Sequence, residues 1–411
     1  MKLRSLLILV LLAITACGGG GNPTTGTEKG PIKIGFLIDL TGTFASNGKN
    51  EQNGWNLAVA ELGDTVAGRK IEVHLADTAT DPNTALTQAR QLVESENVVM
   101  LEGPIAASEI GAVATYAGPK GIPVDDISLC SGQQLINNAK YGNSYSSDWN
   151  CDQPDLMAGQ YVYDQGFKHI TLIGLDYSFG WLSLGGFKAT YEKAGGKIDK
   201  IIWGPLSAPD WTPFVSQIPP DTQAVFGLFA GAASIRFTNA YKQLGLVGKI
   251  PLFGSTTLTD YSALPQEDPN AILGVKIAAQ YCDGIDSPEN KKFTADYFAK
   301  YNTYPGYYSD AGYTKYKLLF QTLKKLNGQV GDSKNLVKAL KSTPITAPRG
   351  PVSLNKSTWS PIENIYLCEV QKVNGVLRNV PIKTFPNVQP WGPLTESEWR
   401  PIFEKNSAGR P

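Results

Sequence analysis

The chain is poor in the residues that most often do chemistry: its 411 residues include two histidines, three methionines and five cysteines. His74 falls inside an expected strand and His169 at a strand start, which leaves little material for a Ser/His/Asp triad, and no Gly-x-Ser-x-Gly elbow is present to carry a nucleophile. No Cys-x-x-Cys occurs, which removes the commonest zinc spacing, so no metal is expected. Excess charge is missing too: 37 Lys plus Arg balance 37 Asp plus Glu, so no net field draws the chain to nucleic acid. The apolar run at residues 5–14 is shorter than the roughly 20 residues needed to cross a bilayer, and residues 371–411 contain no such run. Phosphate loops are absent as well. The stretch GFLIDLTGTFASNGKN (35–50) places five residues between Gly42 and Gly48-Lys49 where a P-loop needs four, and Asn50 stands where the Mg²⁺-binding hydroxyl belongs. The adjacent Asp125-Asp126 point to opposite faces of a strand and cannot act together as acid and base. No catalytic constellation and no cofactor are expected.

What is present is bulk, turns and an export signal. A chain of this length exceeds the size at which one core keeps growing, so two lobes are expected, and 42 Gly with 27 Pro imply many turns. Met1-Lys2-Leu3-Arg4 and the apolar run after it read as a signal peptide over residues 1–16. Its end, Ile14-Thr15-Ala16-Cys17, resembles a bacterial lipobox, which makes Cys17 the lipidated first residue of the mature chain, followed by a polar tether to residue 30. The other cysteines, Cys130, Cys151, Cys282 and Cys368, are even in number in an oxidising compartment. Three connectivities are open; proximity in sequence favours Cys130 with Cys151, which leaves Cys282 with Cys368, and four buried thiols are the alternative.

Residues 32–37, 71–76, 98–101 and 122–124 read as strands, alternating with helices over 51–62, from Asp81-Pro82 onward, and over 108–117. After 145–151 the alternation restarts, with strands over 169–175, 198–203, 224–229, 251–253 and 275–279 and helices over 181–193 and 234–244. Helices follow over 289–301, 310–326 and 333–341, then a strand over 365–370 and a Pro-rich tail. Repeated βα units imply parallel sheets covered on both faces, an α/β chain of two doubly wound, Rossmann-like lobes.

Three blocks, IKIGFLIDLTGTFASNGKNEQNGWNLAVAEL, HLADTATDPNTALTQARQLVESENVVMLEGPIAASEIGAV and GIPVDDISLCSGQQLI, resemble the bacterial leucine/isoleucine/valine-binding proteins, the solute-binding components of ABC importers. That resemblance, from about residue 31 to 370, implies a type I periplasmic binding protein: two lobes joined by three hinge crossovers near Ser147, Tyr281 and Gly350, with the solute between them. It places 31–148 plus 282–349 in the first lobe, 149–281 plus 350–385 in the second, and 386–411 in a C-terminal tail. It further implies permease subunits as partners, a monomer, and attachment to the outer face of the cell membrane or residence in the periplasm through the lipid anchor alone.

In relatives a Ser in a Gly-Pro-x-x-Ser loop and a Ser/Ala-Ala-Thr segment grip a ligand carboxylate. Here Ala107 stands at the Ser place with Ser108 beside it, and the segment reads Ser128-Leu129-Cys130. Amino-acid binders hold the ammonium group with a Glu after a second-lobe strand; Thr256 falls there. Phe179 takes the place of a lining Tyr, Asn47 that of an aromatic residue in the first loop, and Phe44, Trp149 and Ala230 complete the expected cleft. Ser108 also fits a helix cap, Phe179 core packing, Trp149 a hinge plug and Thr256 a turn. The expectation is a binding protein for a small organic or aromatic acid or amide without a free α-ammonium group. The alternatives are a sensory module of the same fold that signals to a receptor, and an amino-acid binder in which Asp283 or Asp310 supplies the countercharge.

Overall fold

The computed structural model describes residues 28–411; the signal peptide, Cys17 and the tether as far as residue 27 lie outside the described residues. The first half builds one sheet. Strand β1 (Ile32–Ile38) leads to helix α1 (Ala45–Leu62), β2 (Thr65–Val66), β3 (Arg69–Asp77), α2 (Pro82–Arg90), β4 (Met100–Glu102), α3 (Ala107–Lys120), β5 (Val124–Leu129), α4 (Gly132–Lys140) and β6 (Ser144–Asn150). Among the described residues these strands lie in the order β2-β3-β1-β4-β5-β6. β1 pairs in parallel with β3 and β4, and β5 with β4 and β6; β1, β4 and β5 are buried on both faces, as inner parallel strands are, whereas β3 toward the edge is partly exposed. Helix α2 starts where Asp81-Pro82 says it starts, with Asp81 Oδ1 accepting from Thr84 N at 2.7 Å.

Helix α1 begins six residues before the expected 51–62. Its inward face carries Asn47, Gly48, Glu51 and Asn53, all buried, so the apolar period becomes visible only from Trp55. β5 extends beyond the expected 122–124, and α4 was not expected at all; its signal is the capping box in which Ser131 accepts from Gln133 N and Gln134 reaches back to Ser131 N.

The second half continues with α5 (Gln153–Asp164), β7 (His169–Leu175), α6 (Ser178–Lys193), β8 (Lys197–Gly204), α7 (Thr212–Val215), β9 (Val225–Leu228), α8 (Ala232–Gln243), β10 (Leu252–Ser255), α9 (Pro269–Ile272) and β11 (Lys276–Ala279). Then follow α10 (Pro288–Tyr301), α11 (Tyr307–Lys325), α12 (Ser333–Lys341), β12 (Ile345–Ala347), β13 (Gly350–Leu354), β14 (Pro361–Val373), β15 (Val376–Val388) and α13 (Glu396–Ala408). The second sheet runs β12-β13-β14-β11-β10-β9-β7-β8, parallel from β8 to β11 and antiparallel from β11 to β12, with β15 paired to β14. Helix α11 returns to the first sheet and packs along α1. Glycines allow the close approach: a Cβ on Gly54 would strike the carbonyl of Ser309, and one on Gly312 that of Glu51.

The stretch 386–411, expected as a tail, completes a hairpin and forms a packed helix. β15 carries Pro381 and Pro386, which a strand tolerates at an edge, and among the described residues β15 pairs with β14 alone. Helix α13 is opened by the Thr395–Glu398 capping box and lies on α6, with Trp399 fully buried and its Nε1 donating to Asp152 Oδ2 at 2.8 Å. Disulfides join Cys130 to Cys151 and Cys282 to Cys368, with Cα separations of 5.2 and 6.6 Å.

Candidate functional site: an aromatic cavity between the two sheets

In open α/β sheets, ligand sites form beyond the carboxyl ends of the strands. One cavity is built that way from both sheets. From the first sheet come Phe44, after β1; Ile105, Ala106 and Ala107, after β4; and Ser128, Cys130, Trp149 and Cys151, at the ends of β5 and β6. From beyond β7 come Tyr177 and Phe179, and α11 brings Tyr307 and Tyr308. The rings fill most of the space between the halves. Trp149 meets Phe179 edge-on at 5.2 Å between centroids and Tyr307 at 5.2 Å, while Phe44 lies 6.2 Å from Tyr177. The remaining cavity is about 10 Å³, near the smallest volume that admits one water, so a solute enters only when rings on opposite halves part. Two wider grooves, beside Lys341 and beside Arg378, lie outside this region.

Among the described residues no acidic or basic side chain lines the cavity. Its donors are the first turn of α3, whose N-cap residue Ala106 has no side-chain oxygen to fill that turn, the hydroxyls, and Trp149 Nε1, which is buried with no hydrogen-bond partner among the described residues. In the first turn of α3, Glu109 forms a buried acidic pair with Asp39, which follows β1. Glu109 Oε2 accepts from Ala106 N at 3.1 Å, and burial together with the charge of Asp39 pushes Glu109 up to about 9, so it is protonated at neutral pH. Asp260, after β10 of the second sheet, links to helices packed on the first: Tyr307 N of α11 donates to its Oδ2 at 2.7 Å, Ser262 N to its Oδ1 at 2.9 Å, and Asn47 Nδ2 of α1 donates to Ser262 Oγ at 3.0 Å.

Of the expected residues, Phe44, Ala107, Ser128, Trp149 and Phe179 meet in this cavity. Leu129 is buried in the core, on the opposite face of β5 from Ser128. Ala230 and Thr256 are buried at the carboxyl ends of β9 and β10 but outside the lining, and Thr256 Oγ1 has no hydrogen-bond partner among the described residues. Asn47 sits on α1 rather than in a loop and bridges to Ser262. Ser108 is exposed and neither lines the cavity nor caps the helix, since a helix turns about 100° per residue and Ala107 already faces inward. The acids named as alternative countercharges are paired elsewhere, Asp283 with Arg378 and Asp310 with Arg349. His169 Nδ1 lies 2.8 Å from Asp199, and His74 pairs with Glu72 and Glu96, all outside the cavity.

Tyr177, Tyr307, Tyr308 and Ile105 were not foreseen. Tyr177 was legible as the residue two places before Phe179 in the same loop. Tyr307 and Tyr308 follow Gly306 at the start of α11, more than a hundred residues from the other lining positions, and only packing brings them there.

Two α/β sheets whose carboxyl edges face each other across a ring-lined cavity define a two-lobed solute-binding protein. Comparison with known proteins agrees: residues 31–375 match the family described as periplasmic binding protein, and the chain belongs to that family. A solute-binding protein of an ABC transporter from Rhodopseudomonas palustris BisB5, solved with 3,4-dihydroxybenzoic acid, superposes with a TM-score of 0.82 at 29% identity over 88% of this chain and 98% of that one. Its counterpart from Rhodopseudomonas palustris HaA2, solved with p-hydroxybenzoic acid, gives 0.81 at 28% identity, covering 88% and 98%. Among curated proteins, Leu/Ile/Val-binding protein homolog 6 of Brucella melitensis is 29% identical over 364 residues, 86% of this chain and 91% of the relative. Among the described residues no helix is long and apolar enough to cross a membrane.

Proposed function

We propose that this chain is the extracytoplasmic solute-binding component of an ABC importer and that its solute is a small aromatic carboxylic acid. The observation that carries this reading is the cavity wall: six aromatic side chains, Phe44, Trp149, Tyr177, Phe179, Tyr307 and Tyr308, with no ionic side chain among them. An α-ammonium group placed there would be buried without a countercharge, at a cost of several kcal/mol, and each 1.4 kcal/mol is about tenfold in affinity. A carboxylate, by contrast, meets the N–H groups of the α3 first turn and Trp149 Nε1, and a ring meets rings. The aromatic acids bound by the two Rhodopseudomonas proteins support the same class.

The boundaries proposed for the mature protein are a lipid anchor at Cys17 and a tether to residue 30; lobes of 31–148 plus 282–349 and 149–281 plus 350–385; and permease subunits as docking partners. Calorimetry with benzoate, 4-hydroxybenzoate and benzamide alongside leucine, isoleucine, valine and phenylalanine tests the solute. Micromolar binding of the benzoates and none of the amino acids is expected. Micromolar binding of any of the four amino acids refutes the reading.

A further inference from the structure

Among the described residues two disulfides form, and one of them borders the solute cavity. Cys130 and Cys151 both line it, whereas Cys282 and Cys368 do not. Among the described residues β6 is the outermost strand of the first sheet and pairs there with β5 alone, while Arg349 holds the carbonyls of Ser147 and Asp148 from the other side and the bridge lies beyond that contact. Ser128 is paired with Trp149, and Leu129 with Asn150, in the β5–β6 ladder. The bridge closes one residue beyond the last of these pairs, next to the bond from Cys151 N to Leu129 O at 3.1 Å. Ser128 Oγ lies 3.0 Å from Cys130 Sγ, so the sulfur sets the direction of a cavity hydroxyl. Trp149, whose Nε1 is the unpartnered donor, stands two residues before Cys151.

We infer that the Cys130–Cys151 disulfide is a contact surface of the solute site that fixes the positions of Ser128 and Trp149, so that solute affinity and the redox state of this one bridge are coupled. The inference rests on reading the cavity as the solute site. The bridge presents polarizable sulfur among aromatic rings, a surface that favours the flat face or edge of a ring over a branched aliphatic chain. A dithiol such as dithiothreitol delivers two electrons and two protons: the S–S bond breaks, Cys130 and Cys151 become thiols, and the reagent closes into its own cyclic disulfide. The freed end of β6 then no longer holds Trp149 in register, and affinity falls. By reciprocity, the factor by which reduction weakens binding is the factor by which saturating solute favours the oxidised form.

The test uses the full chain with benzoate and 4-hydroxybenzoate as probes. Oxidised wild type is measured first by calorimetry; absence of binding there overturns the assignment of the solute and the present inference with it. Given binding, the double variant Cys130→Ala/Cys151→Ala is expected to lose about tenfold or more in affinity. Cys282→Ala/Cys368→Ala, whose bridge does not line the cavity, keeps its affinity within about threefold even where it unfolds at a lower temperature. Because the first variant could fail to fold, wild type is also reduced with dithiothreitol with and without saturating probe and mapped by peptide mass spectrometry. Probe is expected to slow loss of the Cys130–Cys151 bridge and to leave the rate at Cys282–Cys368 unchanged. Equal affinities of the two double variants, or equal protection of both bridges by the probe, overturns the inference while leaving the solute assignment intact.

Discussion

Arg349 is fully buried just before β13, and its replacement by Met is expected to damage this protein more than any change at the cavity wall. Its Nε donates to Glu363 Oε2 at 2.7 Å, its Nη1 meets Asp148 Oδ1 at 2.9 Å and also Asp310, and its Nη2 donates to the carbonyls of Ser147 and Asp148 at 2.9 and 3.0 Å. One guanidinium thus ties α11, the end of β6 and β14 together. Removing it leaves buried carboxylates without a countercharge, a loss of about 3–5 kcal/mol against a total stability on the order of 5–15 kcal/mol. Lys would keep the charge but bring only three N–H donors on a point charge, so Arg349→Lys should retain part of the loss. The pH dependence has a fixed sign. Burial raises Glu363 from 4.5 to about 7 even with Arg349 beside it, so the native state holds a proton that the unfolded state releases, and stability falls as pH rises through that window. Without the arginine the folded value climbs further. The penalty of Arg349→Met is therefore larger at pH 8 than at pH 5. Urea unfolding followed by circular dichroism at both values measures it; a loss under about 1 kcal/mol at pH 8, or a larger loss at pH 5, refutes the argument.

Other expectations follow from the same packing. Glu109 is raised by burial and by Asp39 to about 9, so wild type binds a proton there that the unfolded chain gives up above its ordinary value near 4.5. Glu109→Gln is expected to flatten the fall in stability between those values, and an unchanged pH profile would count against a protonated Glu109. Gly312→Ala forces α11 off α1 at the Glu51 carbonyl; a loss of about 1–3 kcal/mol with weaker solute binding through displaced Tyr307 and Tyr308 is expected, and a neutral thermal melt would contradict it. Cys17→Ser is expected to release the folded protein from membranes, and its retention after a carbonate wash would end the lipid-anchor proposal.

The sequence by itself determined much of the frame, because strand and helix signals are local. The buried runs at 32–38 and 169–175, the Asp81-Pro82 start and the alternation of periods sufficed to place two sheets with parallel cores and an edge where solutes bind, but not the antiparallel strands β12 to β15 that complete the second sheet. Phe44, Ala107, Ser128, Trp149 and Phe179 could be named because the resemblance to the leucine/isoleucine/valine-binding proteins places them at the cleft, and they lie in or just beyond the ends of the strands at that edge. Where polar residues face inward, as at Asn47 and Glu51, the period vanishes and the boundary of α1 is hidden. Prolines in β15 and α13 masked a hairpin and a packed helix, since their cost depends on which neighbours a strand or turn has. What only the tertiary structure decided is which distant side chains share the cavity. Tyr307 and Tyr308 reach it because Gly54 and Gly312 let two helix backbones touch, and Ser108 leaves it because the turn of α3 was fixed by burying Ala107 and Glu109. Contacts between elements far apart in the chain depend on packing geometry, which no local pattern of residues encodes.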